Sequence, residues 1–249
     1  MIKKIGLDVI KKVLAKKGYS VIPRESYPSS FSQEFVEAHK IAKPFTACGM
    51  FKIYGVYEAL KYVIKNNIEG DIVETGVWKG GVPMFMSYLF KKWEIKRPIY
   101  LYDTFQGKPK PTDEDRDWRG RPSIIEYNRR KDNPDGWGKV CLEEVKNNAY
   151  SVGYDRQYLK FIVGKVEDTL TEIVPDKIAV LRLDTGFYSS IKFTLEQLYP
   201  RLVNGGILII DDYSQLEGCR KAVDDYFKDK DIFLSLTFGG MCGVKYQKN

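Results

Sequence analysis

From Gly70 onward, five short apolar runs alternate with segments of helical character, at 71–77, 98–105, 159–166, 178–184 and 206–213. Each run is apolar almost throughout rather than at every second position, which is the mark of a strand covered on both faces. Such strands separated by helices predict a mainly parallel, doubly wound α/β sheet. Two of the runs share a second property: "AVLRLD" ends at Asp184, and "GILIIDDY" carries Asp211 and Asp212 near its end. If these strands are parallel neighbours, all three carboxylates meet at one sheet edge, where they repel one another unless a cation lies between them. The alternative is that Asp212 caps the following helix and Asp184 faces solvent.

The chain has 249 residues, 43% of them hydrophobic, which suits one large domain. Residues 1–69 read as a helical N-terminal extension: apolar positions recur at helical spacing from Ile2 to Leu14, and "MFKIYGVYEALKYVIKNN" forms a further helix. Residues 70–249 form the main domain, closed by "IFLSLTFG" and "CGVKYQK" as a terminal hairpin. Five parallel strands followed by a hairpin is the layout of the Rossmann-like class I methyltransferase fold, with seven strands in all. The segment 106–137 breaks the alternation, being rich in proline and charge; Trp118, Tyr127 and Trp137 mark it as a lid over a site rather than a disordered loop.

A formal charge of +7 favours anionic partners, but no nucleic-acid motif accompanies it, and nucleic acid is not expected. The four cysteines form no CxxC pair, so reduced thiols in the cytoplasm are expected. Neither a secretory signal nor a transmembrane segment is expected.

Strand, glycine turn and helix follow one another in "GDIVETGVWKGG", and ligands of doubly wound folds bind outside the carboxyl ends of such strands. The glycines do not make the GxGxxG of a pyrophosphate site, which argues against a nicotinamide-dependent oxidoreductase. Glu74, beside the turn, suits a cationic or ammonium group. Asp103 in "IYLYDTFQG" either accepts from ribose hydroxyls or caps its own turn.

Together, "DIVETGVWKGG", "YDTFQG", "VLRLDT", "LYPRLVNGGILIIDDY" and "CRKAVDDYF" resemble the macrocin O-methyltransferase family over roughly 44–246. The resemblance implies S-adenosylmethionine as donor, a sugar hydroxyl of a glycoside, nucleotide-sugar or polysaccharide as acceptor, and self-association. It also implies a divalent cation, usually Mg²⁺, on Asp184, Asp211 and Asp212. The donor pocket would include Glu74, Thr75, Gly76, Asp103, Thr104 and Glu167, and the lid would cover the acceptor. Where family patterns resemble "LRLDGD" or "LRLDTD", this chain has Gly186, so the carboxylate proposed as general base is missing. Asp184, Tyr188 and His39 are the expected catalytic residues, with Glu114, Asp115 or a metal-bound water as further proton acceptors. A donor-binding homologue without catalysis is the alternative.

Overall fold

The computed structural model describes residues 9, 10, 12–17, 27–133, 136–230, 232–237 and 239–246. Most of the first predicted helix and the tail of the hairpin lie outside them. The chain divides into compact units at 1–36 and 37–249. The helices are α1 (Gln33–Ala42), α2 (Met50–Lys65), α3 (Gly81–Lys92), α4 (Ser123–Arg130), α5 (Leu142–Ser151), α6 (Val166–Thr169), α7 (Tyr188–Leu198) and α8 (Glu217–Phe227). The strands are β1 (Asp71–Thr75), β2 (Ile99–Asp103), β3 (Leu159–Val163), β4 (Ile178–Leu183), β5 (Leu202–Ile210), β6 (Leu234–Thr237) and β7 (Gly240–Val244).

They form one sheet in the order β3-β2-β1-β4-β5-β7-β6. The first five strands are parallel, and β7 joins β5 and β6 antiparallel. All six residues of β4, the central strand beside β1, are buried, as an apolar run covered on both faces requires. On one face Leu181, Leu183, Leu208 and Ile210 pack with Ile191 and Leu195 of α7 and with Ala222 and Val223 of α8. On the other, α2 and α3 contribute Ile53, Leu60, Phe85 and Phe90, all fully buried.

The register fixes the site. Leu183 pairs with Ile210, so Asp184 and Asp211 are the next residues out on adjacent strands. The Asp211 N–H donates to the Leu183 carbonyl at 2.9 Å. β1 ends at Thr75 because Gly76 turns at φ +89, where a Cβ would collide with the Asp184 carbonyl.

The segment 106–137 is ordered over its described residues and carries α4, a helix that its sparse apolar positions did not signal. It docks through main-chain bonds: Trp118 N–H to the Gln215 carbonyl at 3.0 Å, and Glu217 N–H to the Arg116 carbonyl at 2.8 Å. Buried Asp115 accepts from Thr112 N–H at 2.8 Å and from Tyr188 N–H, at the start of α7, at 2.9 Å. Asp115 thus caps a helix from across the fold, satisfying an N–H that α7 leaves without an intrahelical acceptor.

Candidate functional site

A cavity of about 410 Å³ opens beyond the carboxyl ends of the parallel strands, where doubly wound folds bind ligands. Its wall runs from Glu74, Gly76, Asp103, Thr104 and Glu167 to Asp184, Asp211 and Asp212, with Lys108, Pro109 and Arg130 from the lid.

At the β1–β2 side the polar groups are held mainly by backbone. Asp103 accepts from Val77 and Trp78 N–H at 2.7 and 2.9 Å and from Phe105 N–H at 2.8 Å. Both readings of Asp103 remain compatible with this position, since it ties two turns together and still faces the cavity. Thr104 Oγ1 donates to the Gly107 carbonyl at 2.7 Å and shapes the start of the lid. Thr75 is fully buried and does not line the cavity; it follows Glu74 on the strand and turns to the opposite face.

Glu74 is 1% exposed and accepts from Arg182 Nη1. Burial pushes its carboxyl up to about 7 against the opposing pull of Arg182. Its Oε2 is buried with no hydrogen-bond partner, yet Glu74 lines the cavity. A buried polar atom left unpaired is costly, and an ammonium group in the cavity would satisfy it.

The β4–β5 side is organised around a residue that the motif analysis did not single out. Arg182, 2% exposed, donates from Nη2 to Asp184 Oδ2 at 2.9 Å, to Asp211 Oδ1 at 2.7 Å and to Cys48 Sγ at 3.0 Å. Lys52 of α2 adds bonds to the Asp211 carboxylate and carbonyl, both at 2.8 Å, and lies 3.9 Å from Asp212. Burial would raise the Asp211 carboxyl, but Arg182 and Lys52 outweigh it and hold it below the usual range. Asp184 and Asp212 behave in the opposite way. Burial and then the neighbouring Asp211 push Asp184 well above the usual carboxylate range, while burial raises Asp212 against the attraction of Lys108.

Four carboxylates therefore share two tightly paired cations, and the unbalanced negative charge sits on Asp184 and Asp212. Asp184, Asp211 and Cys48 offer ligand atoms within 4.8 Å of one another; Asp212 lines the same cavity outside that group of three. Burial raises the Cys48 thiol to about 12, so at neutral pH it is a protonated thiol and a poor partner for a hard cation. The carboxylate oxygens, with their surplus charge, fit one.

Two expected catalytic residues stand elsewhere. His39 is buried in α1 and does not line the cavity; burial and then Lys43 lower its pKa. The Tyr188 hydroxyl donates to Asp225 at 2.9 Å, and its ring lies 4.4 Å from the Lys221 ammonium, away from the cavity lining. Gly186 adopts φ +80 beside the acidic edge. A Cβ there would meet Leu216 Cδ1 at 2.7 Å, Asp212 Oδ2 at 2.8 Å and the Lys108 ammonium at 3.5 Å. The expected second carboxylate is thus absent from a space bordered by another carboxylate and a lysine.

Comparison with known proteins agrees over the length of the chain. The model of the family described as macrocin-O-methyltransferase (TylF) matches residues 7–248. The demethyldecarbamoylnovobiocin O-methyltransferase of Streptomyces niveus is 32% identical, covering 97% of this chain and 92% of the relative. The mycinamicin III 3''-O-methyltransferase of Micromonospora griseorubida is 32% identical over 73% of this chain and 69% of its own length. Among solved structures, the O-methyltransferase NovP superposes with a TM-score of 0.72 at 29% identity, covering 98% of this chain and 99% of its own. The calicheamicin methyltransferase CalS11 shares the fold with a TM-score of 0.60 at 18% identity, covering 88% of this chain and 94% of its own.

Proposed function

This chain belongs to the macrocin O-methyltransferase family, with S-adenosylmethionine as methyl donor, and on that premise we propose that its acceptor is a sugar hydroxyl held at the β4–β5 edge. The observation that carries the reading is the single cavity that joins the Glu74 and Asp103 turn to the acidic edge. Glu74 Oε2, unpaired at the cavity wall, receives the donor's ammonium group, and Asp103 and Glu167 face its ribose end. Gly76 lets the turn approach the donor, because a side chain there has no room.

Asp184, Asp211 and Asp212 hold a divalent cation, Mg²⁺ by their hard oxygen chemistry. When bound, such an ion stabilises the alkoxide character that develops on an acceptor hydroxyl. Arg182 and Lys52 keep Asp211 ionised and fixed, so the edge is preorganised before any acceptor arrives. The acceptor oxygen attacks the methyl carbon, the carbon–sulfur bond breaks to leave S-adenosylhomocysteine, and the hydroxyl proton passes to a carboxylate oxygen of the acidic edge, where burial raises the proton affinity of Asp184. Orientation supplies much of the acceleration, which suits a site with no side chain at 186.

The lid, docked through Asp115, Arg116 and Trp118, excludes water from the acceptor side. Four unpaired cysteines fit a reducing, cytoplasmic compartment. Among the described residues, no helix is long and apolar enough to cross a membrane.

The test is calorimetric titration with S-adenosylhomocysteine, followed by methyl-transfer assays on glycosides with Mg²⁺ or with EDTA. Donor-product binding with turnover that EDTA abolishes supports the reading. Binding with no turnover on any glycoside supports a homologue that binds the donor without methylating. No donor-product binding contradicts both.

A further inference from the structure

The lid holds eight basic and seven acidic residues, a nearly even balance. Among the described residues, its charged residues that line the cavity are Lys108 and Arg130, both cations. Chance placement of a balanced set would bring acids as readily as bases. They differ in their engagement. Arg130 lies 3.6 Å from Glu126, whose carboxylate also pairs with Arg129 at 2.6 Å. Lys108 has no carboxylate within ion-pair distance among the described residues; its ammonium rests 5.7 Å from the centre of the Phe187 ring.

The Lys108 backbone is fixed in place. Its N–H donates to the Trp137 carbonyl at 3.0 Å, and the Trp137 ring leans on Phe187, 6.2 Å between centroids. The Lys108 ammonium borders the space beside Gly186: a Cβ there would stand 3.5 Å from it and 2.8 Å from Asp212 Oδ2, so a longer side chain would fill the space the two share. Where the family pattern places a second carboxylate, this chain leaves a space with the Lys108 ammonium on one side and the Asp212 carboxylate on the other.

We propose that Lys108, at the cavity wall beside Gly186, makes this enzyme selective for acidic sugars, pairing with a carboxylate or phosphate carried on the acceptor. The proposal rests on the sugar-methyltransferase reading and narrows it. A neutral acceptor would offer the ammonium no contact partner, leaving it only the longer-range attraction of Asp184 and Asp212 once the lid side is filled and water excluded, which disfavours it. Arg130, sharing Glu126 with Arg129, adds positive field at the same mouth and favours encounter with an anion.

Ligand-observed NMR titrations test this with protein loaded with S-adenosylhomocysteine and Mg²⁺, using methyl glucuronide, glucose 1-phosphate and methyl glucoside as probes. The wild type is expected to bind at least one anionic probe about tenfold or more tightly than the neutral one, the stronger arm distinguishing carboxylate from phosphate. Lys108→Gln should erase the ratio, and Lys108→Arg should retain it. Gly186→Asp, which sets a carboxylate beside the ammonium, should lower the ratio with Lys108 intact. Equal binding of all probes by the wild type, no binding of either anion, or an unchanged ratio in Lys108→Gln overturns the proposal while leaving the methyltransferase reading in place. Failure to load S-adenosylhomocysteine instead removes that reading and this inference with it.

Discussion

The two sides of the cavity solve the same problem in different ways. At the ends of β1 and β2, negative groups are largely satisfied inside the protein: Asp103 takes three backbone N–H groups, and only one oxygen of Glu74 is left unpaired. At the ends of β4 and β5, Asp184, Asp211 and Asp212 lie around Arg182 and Lys52, and two of the three carboxylates are pushed above their usual range. The first edge is satisfied from within except at one Glu74 oxygen. The second holds carboxylates close together in a buried setting that raises two of them, an arrangement that costs stability.

The comparison breaks most visibly at Arg182, which belongs to both edges. Arg182→Ala leaves Glu74, Asp184 and Asp211 without their shared buried partner, and is expected to cost about 3–5 kcal/mol in chemical denaturation. A loss below about 1 kcal/mol would mean that the two edges are not coupled through it. Asp115→Ala should cost about 1–3 kcal/mol by stranding the N–H groups of Thr112 and Tyr188. It should also raise KM for the acceptor more than for the donor, because the lid docks on the β4–β5 side.

Acidity sharpens the contrast further. Glu74 rises from 4.5 to about 7 on folding, so the folded protein holds a proton that the unfolded chain releases. The stability this contributes is complete below about pH 4.5 and is lost as pH rises toward 7. Asp184, also raised, acts in the same direction; Asp211, lowered, acts in the opposite one. The melting temperature of Glu74→Gln should therefore fall less than that of wild type between about pH 5 and about pH 8. The smallest effect is expected at Trp118, 63% exposed on the lid, where Trp118→Ala should change stability by about 0.5 kcal/mol or less.

Periodicity made the sheet legible. Fully apolar runs could be buried only between helices, and their acidic ends could lie together only if β4 and β5 were neighbours, as they are. What covers those acids was less visible. Arg182 carried a signal in the sequence, since an arginine inside "AVLRLD" cannot be buried unpaired, but its three carboxylate partners come from β1, β4 and β5. Lys52 and Cys48 lie over 130 residues from the groups they touch, and no local pattern links them. Tyr188 lies two residues past Gly186 in sequence, but the start of α7 turns its hydroxyl toward Asp225 on α8. Helix α4 escaped notice because its exposed face is charged and Ile125, 64% exposed, does not mark a buried stripe.

If donor and cation occupy opposite edges of one cavity, mutation can separate their binding. Calorimetric titration of Asp212→Asn, first with S-adenosylhomocysteine and then with Mg²⁺, tests it most directly. Donor-product affinity equal to wild type, together with loss of Mg²⁺ binding, is the predicted result. Loss of donor-product binding, or Mg²⁺ binding unchanged from wild type, would contradict the division of labour between the edges.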